Sequence, residues 1–332
     1  MISPDALILA ALRAATSHLA PGDLAAQAGL SLPALAERIS ALHAAGFDIE
    51  NRPALGWRLM AASNRLIADD LWARLALSDG GVPGKHPLVR EILVFTETSS
   101  TNEVAARRGR HGSEGGLVVL AERQSAGRGR FGRRWESAQG CGIWMSLLLR
   151  PNAPLELWPR LTTAAAVAIS SAIEQTAGVR TAIKWPNDIL IDGRKVAGIL
   201  IETGKDDRLR PFAVIGIGIN VQHEKTDFPP EIRELAHSLR LATGAPVDRA
   251  AVVVAVIQEL TRRLPEIDQG FDGILAEALR RSSLIGQWVR VQMNGAQREG
   301  IAESLDGDGR LLLREASGAL LPLSAGEVTL RG

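Results

Sequence analysis

The spacing of apolar residues changes character twice along this chain. Residues 1–64 read as small helices followed by a hairpin. In "SPDALILAALRAA" the apolar Leu7, Ile8 and Leu12 fall at helical spacing, with Ser3 at the N-cap and Pro4 at the first helical position. In "PGDLAAQAGLSLPALAERISALHAAG" Leu24 and Ala28 share one face of a short helix that Gly29 breaks. Ser31 then caps a second helix whose buried stripe is Leu35, Ile39 and Leu42. Ala25, Gly29 and Leu35 stand at helix-turn-helix spacing, and "FDIENRPALGWRL" after Gly46 predicts strand, turn, strand, a wing.

From 65 to 282 strands and helices alternate. "EILVFTET", "GLVVLAERQ" and "IWMSLLLRP" predict strands, the last ended by Pro151. "LTTAAAVAISSAIEQTAG" predicts a helix apolar on most faces, hence buried, ending at Gly178. "TAIKWPNDILID", "RKVAGILIETG" and "PFAVIGIGINV" predict three more strands, and "DRAAVVVAVIQELTRRL" and "FDGILAEALRRS" two closing helices. Several connections are too short for parallel crossovers, so the layer is mixed. From 283 to 332 "GQWVRVQMNG", "QREGIAESLD", "GRLLLREASG" and "ALLPLSAGEVTLR" are short alternating strands with Gly and Asp turns. They predict a small SH3-like β-barrel. The expected architecture is multi-domain α+β: a winged helix-turn-helix, a mixed α/β domain and a barrel.

Composition narrows the chemistry. The 332 residues carry a net charge of +1, so any anion site must be local. No apolar run is long enough to span a membrane, and the N-terminus has an acid before its short apolar run and lacks a basic n-region, unlike a signal peptide. A single cysteine excludes an intramolecular disulfide framework and a cysteine-based zinc site; Cys141 reads as a small packed residue. The expectation is a cytoplasmic protein.

"AGRGRFGRRW", residues 126–135, concentrates four arginines and three glycines without an acid. Its Gly127, Gly129 and Gly132 match G-x-G-x-x-G, but a dinucleotide turn needs a helix directly after the third glycine. Here Gly140 and Gly142 interrupt any helix, and no acid stands in the right place for a ribose. There is no G-x-x-x-x-G-K-[ST], and one basic loop in a near-neutral chain is a small nucleic-acid footprint. A solvated loop is the bland reading. Against it, the interior strand "GLVVLAE" delivers the loop, and its glycines let it close and bring backbone amides near a ligand. A second cluster, "IKWPNDILIDGRKVAGIL", places Lys184, Asn187, Asp188 and Lys195 on adjacent strands.

With both clusters, the chain resembles the bifunctional biotin–protein ligase/biotin operon repressor family. The matching stretches are "SSTN" (99–102), "ERQSAGRGRFGRRW" (122–135), "KWPND" (184–188), "GRKVAGILIE" (193–202), "GIGINV" (216–221) and "GEVTLR" (326–331). The resemblance implies that biotin and ATP form biotinyl-5′-adenylate, with Mg²⁺, and that a lysine of a biotin carboxyl carrier protein then takes the biotin. It assigns Arg128, Arg130, Arg133 and Lys195 as cations for anionic ligands, with Lys195 meeting the biotin carboxylate and then the α-phosphate. It assigns Ser100, Thr101, Asn102, Gln124 and the Gly129 backbone to the biotin head. Trp135, Asn187 and Asn220 fall on the adenylate's base and ribose side. Lys184 falls on phosphate, and Asp188 on Mg²⁺ or a lysine. On its own, "SSTNE" equally suits a helix N-cap.

The repressor half of the resemblance implies operator DNA as a partner and a homodimer when adenylate is bound. Residues 1–64 hold four arginines against five acids. The helix starting at Ser31 offers only Arg38 and His43 as basic groups, and the wing adds Arg52 and Arg58. Two rivals stand beside this reading. One is a lipoate or octanoate ligase or transferase of the same broad fold; the other is a regulator with an inactive ligase domain.

Overall fold

The computed structural model describes residues 3–293 and 295–330. Asn294, in the first expected barrel strand, and Arg331, at the end of "GEVTLR", lie outside the described residues. The chain opens with helices α1 (Pro4–Ala14), α2 (Pro21–Ala28) and α3 (Leu32–Ala44), then the antiparallel pair β1 (Asp48–Arg52) and β2 (Gly56–Ala61). Ser3 accepts from Asp5 N at 3.2 Å, and Ser31 accepts from Ala34 N at 3.4 Å, capping α1 and α3. Gly29 ends α2 at φ +67°. Leu19 and Trp57 exchange backbone hydrogen bonds, both at 2.8 Å, and tie the α1–α2 connection to β2. Gly56 makes this approach possible: at φ +100°, its added Cβ would stand 1.9 Å from Leu19 O.

Helix α4 (Ala68–Asp79), which the periodicity left unassigned, belongs to two cores. Its Ala73 packs with Ile8, Leu9, Leu12, Leu35 and Ile39, while Leu71 and Leu75 face the central core. Buried on two sides, it has no clean amphipathic stripe to read. Charge reinforces this joint. Arg13 of α1 donates to Asp70 at 2.8 Å, and Arg74 bonds the same carboxylate at 2.8 Å and Asp248 at 2.9 Å.

Among the described residues the central sheet has seven strands, in the order β3-β4-β5-β9-β8-β7-β6. They are β3 (Glu91–Thr98), β4 (Leu117–Gln124), β5 (Gly142–Leu149), β6 (Ala182–Lys184), β7 (Asp188–Ile191), β8 (Arg194–Lys205) and β9 (Pro211–Asn220). β3 and β4 are parallel and joined by α5 (Thr101–Arg110); the remaining pairs are antiparallel. "TAIKWPNDILID", expected as one strand, is a hairpin: the ladder stops at Trp185–Pro186–Asn187 and resumes at Asp188. Proline has no N–H to give the ladder, so the turn falls there. Helix α6 (Arg160–Ala177), buried from Leu161 to Ile173 except for Thr162, packs on one face with α8 (Arg249–Arg263) and α9 (Phe271–Arg281). The short α7 (Leu239–Thr243) precedes them, and α5 covers the other face through Val104 and Ala105.

The chain ends in an antiparallel sheet of β10 (Trp288–Met293), β11 (Ala296–Leu305), β12 (Leu311–Arg314), β13 (Leu320–Leu323) and β14 (Glu327–Leu330). Its inward Val289, Val291, Leu311, Leu313 and Val328 join the central core. Trp185 Nε1 donates to Gly309 O at 3.0 Å, and Arg160 pairs with Asp308 at 2.9 Å, so this sheet is docked beside the 185–187 turn. Among the described residues, no helix is long and apolar enough to cross a membrane.

Asp70 is 2% exposed and carries two arginines. Asp70→Asn therefore leaves Arg13 without its carboxylate and Arg74 with Asp248 alone, and should lower unfolding free energy by about 2–3 kcal/mol. Urea denaturation measures it; a loss under about 1 kcal/mol would mean that solvent, not Asp70, carries those charges.

Candidate active site

Strand register builds the site. Residues directly opposite each other in antiparallel strands share a face. One cross-strand row on the α5 side runs Ala121, Trp144, Gly218, Gly198, Asp188. The next runs Val119, Ser146, Gly216, Leu200, and a third runs Leu117, Leu148, Val214, Glu202. The two inner rows thus contain a bare patch at Gly198, Gly216 and Gly218, and a pocket opens over it. Glycine inside a strand leaves room for something to lie on the backbone. At present protein groups do so. A Cβ at Gly216 would stand 2.2 Å from Asn102 Oδ1, and one at Gly218 would stand 2.6 Å from the Trp135 ring.

The start of α5 supplies a neutral polar wall. Ser100, Thr101 and Asn102 are all buried, and the Ser100 side chain makes no capping bond. Gln124 Oε1 accepts from Thr101 N at 2.8 Å and Thr101 Oγ1 at 3.1 Å, and Gln124 Nε2 donates to Ser137 at 3.1 Å. Ser146 donates to Asn102 Oδ1 at 2.6 Å and lies 2.8 Å from Thr101 Oγ1. Asn102 Nδ2 donates to Glu202 at 2.7 Å, which fixes the amide's orientation.

The arginine stretch is a small folded-back loop between β4 and β5. Gly129 N donates to Arg133 O at 2.8 Å and Trp135 N to Gly127 O at 3.0 Å. A Cβ at Gly127 would lie 2.5 Å from Trp135 O, which accounts for that glycine. At the tip Phe131 has φ +57° and Gly132 φ +72°. Arg128 pairs with Glu202 at 3.4 Å. Arg130 donates to Asn187 Oδ1 at 2.9 Å, and its guanidinium lies 4.9 Å from the Phe131 ring centroid. Burial pushes the Arg130 pKa below its ordinary value, against the pull of Asp188 and Glu327. Lys195 Nζ is 2.6 Å from Asp188 and 5.1 Å from the Trp135 ring centroid.

Ser100, Thr101, Asn102, Gln124, Arg128, Gly129, Arg130, Trp135, Asn187 and Lys195 therefore line one pocket. Four other expected residues do not. Arg133 turns outward to pair with Glu327 of β14, whose carboxyl it holds below the usual range, with Lys184 and Arg130 adding to the effect. Asn220 is buried and donates to His237 O at 3.1 Å. Asp188 stands behind Lys195, and Lys184 pairs across the β6–β7 ladder from Asp188. Sequence reasoning missed the three glycines, Met145, Ser146, Ile199, Leu200, Ile217 and Glu202. "GIGIN" in an apolar strand and the lone serine of "IWMSLLL" were the available signals. Cys141 is half-buried, burial pushes its thiol pKa up, and its carbonyl accepts from Val221 and Gln222.

The residues expected at DNA are placed differently. Ser31 is spent on its cap. Arg38 makes a two-pronged bond to Asp5 at 2.6 and 2.5 Å, so its charge is already matched within the fold. Arg52 pairs with Glu50 at 3.0 Å, while His43 and Arg58 are exposed.

A neutral polar wall, a bare floor and a cationic rim suit an elongated ligand with a polar uncharged head and an anionic end. The chain belongs to the biotin/lipoate A/B protein ligase family, whose model matches residues 94–220. Residues 284–331 match the biotin protein ligase C terminal domain. The bifunctional ligase/repressor BirA of Bacillus subtilis (strain 168) is 37% identical over 292 residues, 87% of each chain. The biotin–[acetyl-CoA-carboxylase] ligase of Mycobacterium tuberculosis is 35% identical over 245 residues, 72% of this chain and 88% of its own. The biotin protein ligase from Aquifex aeolicus in complex with biotin and ATP superposes with a TM-score of 0.63 at 28% identity, covering 73% of this chain and 99% of that one.

Beside the floor, Trp135 meets Trp144 edge-on at 6.4 Å, Trp144 meets His223 at 6.0 Å, and His223 stacks on Phe228 at 4.9 Å. Burial lowers the His223 pKa from an ordinary 6.5 to about 4. The unfolded chain then takes the proton first as pH falls, so this residue's contribution is full above about 6.5 and is lost down to about 4. His223→Phe, which keeps a ring on Phe228, should reduce the loss of stability between pH 7 and 4 by up to about 3 kcal/mol. Urea unfolding at the two pH values measures this; an unchanged slope would assign the acid sensitivity to other groups.

Proposed function

We propose that this chain is an ATP-dependent biotin–protein ligase and, through its N-terminal module, a biotin-responsive repressor. The observation that carries the ligase reading is the pocket's polarity. Thr101, Asn102 and Gln124, backed by Ser146, form an uncharged donor–acceptor wall, and Arg128, Arg130 and Lys195 form a cationic rim on the same pocket. The wall suits biotin's neutral ureido ring, and the glycine floor admits a flat body. The rim suits a carboxylate beside a phosphate. The relatives named biotin–[acetyl-CoA-carboxylase] ligase favour this substrate over lipoate or octanoate.

In the first step the biotin carboxylate oxygen attacks the α-phosphorus of ATP and pyrophosphate leaves, giving biotinyl-5′-adenylate. In the second, a carrier-protein lysine amine attacks the acyl carbon, loses a proton, and AMP leaves. Lys195 serves the first step by exchanging Asp188 for the two anions, which it brings together by neutralising both. Arg128 and Arg130 leave Glu202 and Asn187 in the same way and fold the loop over the adenylate, keeping water from the mixed anhydride. Asn187 and Trp135 line the same pocket and suit the base and ribose side of the adenylate. Mg²⁺ would neutralise phosphate charge when bound; among the described residues no cluster of three metal-binding side chains stands together, so Asp188, released by Lys195, would be its one protein carboxylate.

We assign residues 1–64 as a winged helix-turn-helix, 65–282 as the ligase domain and 283–332 as an SH3-like barrel, in a protein of the cytoplasm. A biotin carboxyl carrier protein is the acceptor. With Arg13, Arg38 and Arg52 already paired to carboxylates, one module has little free positive charge for phosphates. Operator binding then calls for two linked copies, so the adenylate-bound homodimer is the DNA-binding form.

Lys195→Ala should abolish biotin-dependent pyrophosphate release while leaving the fold intact, since the side chain is one-third exposed at the pocket. Pyrophosphate release near the parent's rate from the folded variant would remove Lys195 from the chemistry. In gel shifts, operator affinity should rise with biotin plus ATP in step with dimer mass in sedimentation. DNA bound equally well by an unliganded monomer would overturn the dimer model.

A further inference from the structure

A second buried charge pair stands behind the arginine loop and belongs to neither wall nor rim. Arg249 Nη1 donates to Glu122 Oε2 at 2.7 Å and Arg249 Nη2 to Glu122 Oε1 at 3.1 Å, with side chains 5% and 8% exposed. The guanidinium also donates to Gly142 O at 3.1 Å and Asn64 O at 2.5 Å. Glu122 Oε1 accepts from Leu66 N at 2.7 Å, and the Glu122 carbonyl accepts from Gly140 N at 3.2 Å.

These bonds meet at the loop's two roots. Glu122 lies two residues before Gln124 at the end of β4, and Gly142 is the first residue of β5. Residues 125–141 leave and return through this node. Its third side is the connector at Asn64 and Leu66, and its fourth is the N-terminal turn of α8. An apolar pair of the same volume would spare the desolvation of two charges but would leave these backbone groups without their side-chain partners. It could not hold the Gly142 carbonyl at the start of β5 and the Asn64 carbonyl and Leu66 N–H of the connector at fixed positions. Loop placement within about an ångström decides whether cations on it meet a ligand productively.

We propose that Glu122 and Arg249 are positioning residues that set the separation and register of the loop's roots, and through them the retention of the activated intermediate. This rests on the ligase reading of the pocket. It also makes the connector from the N-terminal helices part of the loop's foundation, giving that module a short covalent and hydrogen-bonded route to the site.

The test is Arg249→Lys in the full chain, which keeps the charge opposite Glu122 but loses the planar fork. Amides of residues 125–141 should lose hydrogen-exchange protection relative to the rest of the sheet. Biotinyl-adenylate should dissociate about tenfold faster, the change expected for one charge-assisted hydrogen bond. KM for biotin should rise, while transfer from preloaded adenylate stays within about twofold. A folded variant with parental loop protection and retention overturns the proposal, as does a uniform loss of protection with parental retention. If Arg249→Lys fails to fold, Glu122→Gln decides, because it keeps the Leu66 acceptor but turns an amide NH2 toward an Arg249 donor and so breaks the two-pronged pair; parental retention there also overturns it. If the parent chain itself forms no adenylate, the ligase reading fails separately. Loop-selective exchange in Arg249→Lys then still supports the clamp, and its absence overturns it.

Discussion

Three cations around one small cavity repel each other, and the fold absorbs that repulsion with its own acceptors. Arg128 leans on Glu202, Arg130 on Asn187 and Lys195 on Asp188. Each acceptor comes from β7, β8 or the turn before them, so the sheet must present a short hairpin here rather than a long strand. The same residues tie charge to recognition. Glu202 holds Arg128 and orients the Asn102 amide, so the cationic rim and the neutral wall share one carboxylate. Breaking Glu202 would be felt in both wall and rim.

The three glycines obey the same demand from another direction. Side chains at 198, 216 or 218 would meet Trp135, Lys195 or Asn102 at 3.0 Å or less. The sheet gives up packing on this face to keep it open, while α6 and α8 fill the opposite face with apolar contacts. Stability and binding are thus assigned to opposite faces of one layer.

Local signals in the sequence were legible and non-local ones were not. Ser3, Pro4, Gly29, Ser31 and Gly178 act within a few residues of themselves, and the structure places each at the helix end its chemistry suggests. The arginine loop and "KWPND" were visible because their composition is unusual. Arg38 looked free for phosphate because its partner Asp5 is 33 residues away and belongs to another helix. Asn220 looked like a ligand for a similar reason, since its acceptor is a backbone carbonyl 17 residues on. Ser146 and the glycine floor acquire meaning only through cross-strand register, which depends on the order β5-β9-β8.

Trp135 gives the pocket an optical signature. The chain contains seven tryptophans and no tyrosine, so indole dominates its ultraviolet emission. One of those indoles lies on the glycine floor, beside Lys195 and edge-on to Trp144. Any molecule that settles on that floor must displace this ring or stack against it, and it changes the charge beside it as Lys195 moves. Occupancy of the site is therefore written into the protein's own fluorescence, and filling and emptying can be followed in real time without a label.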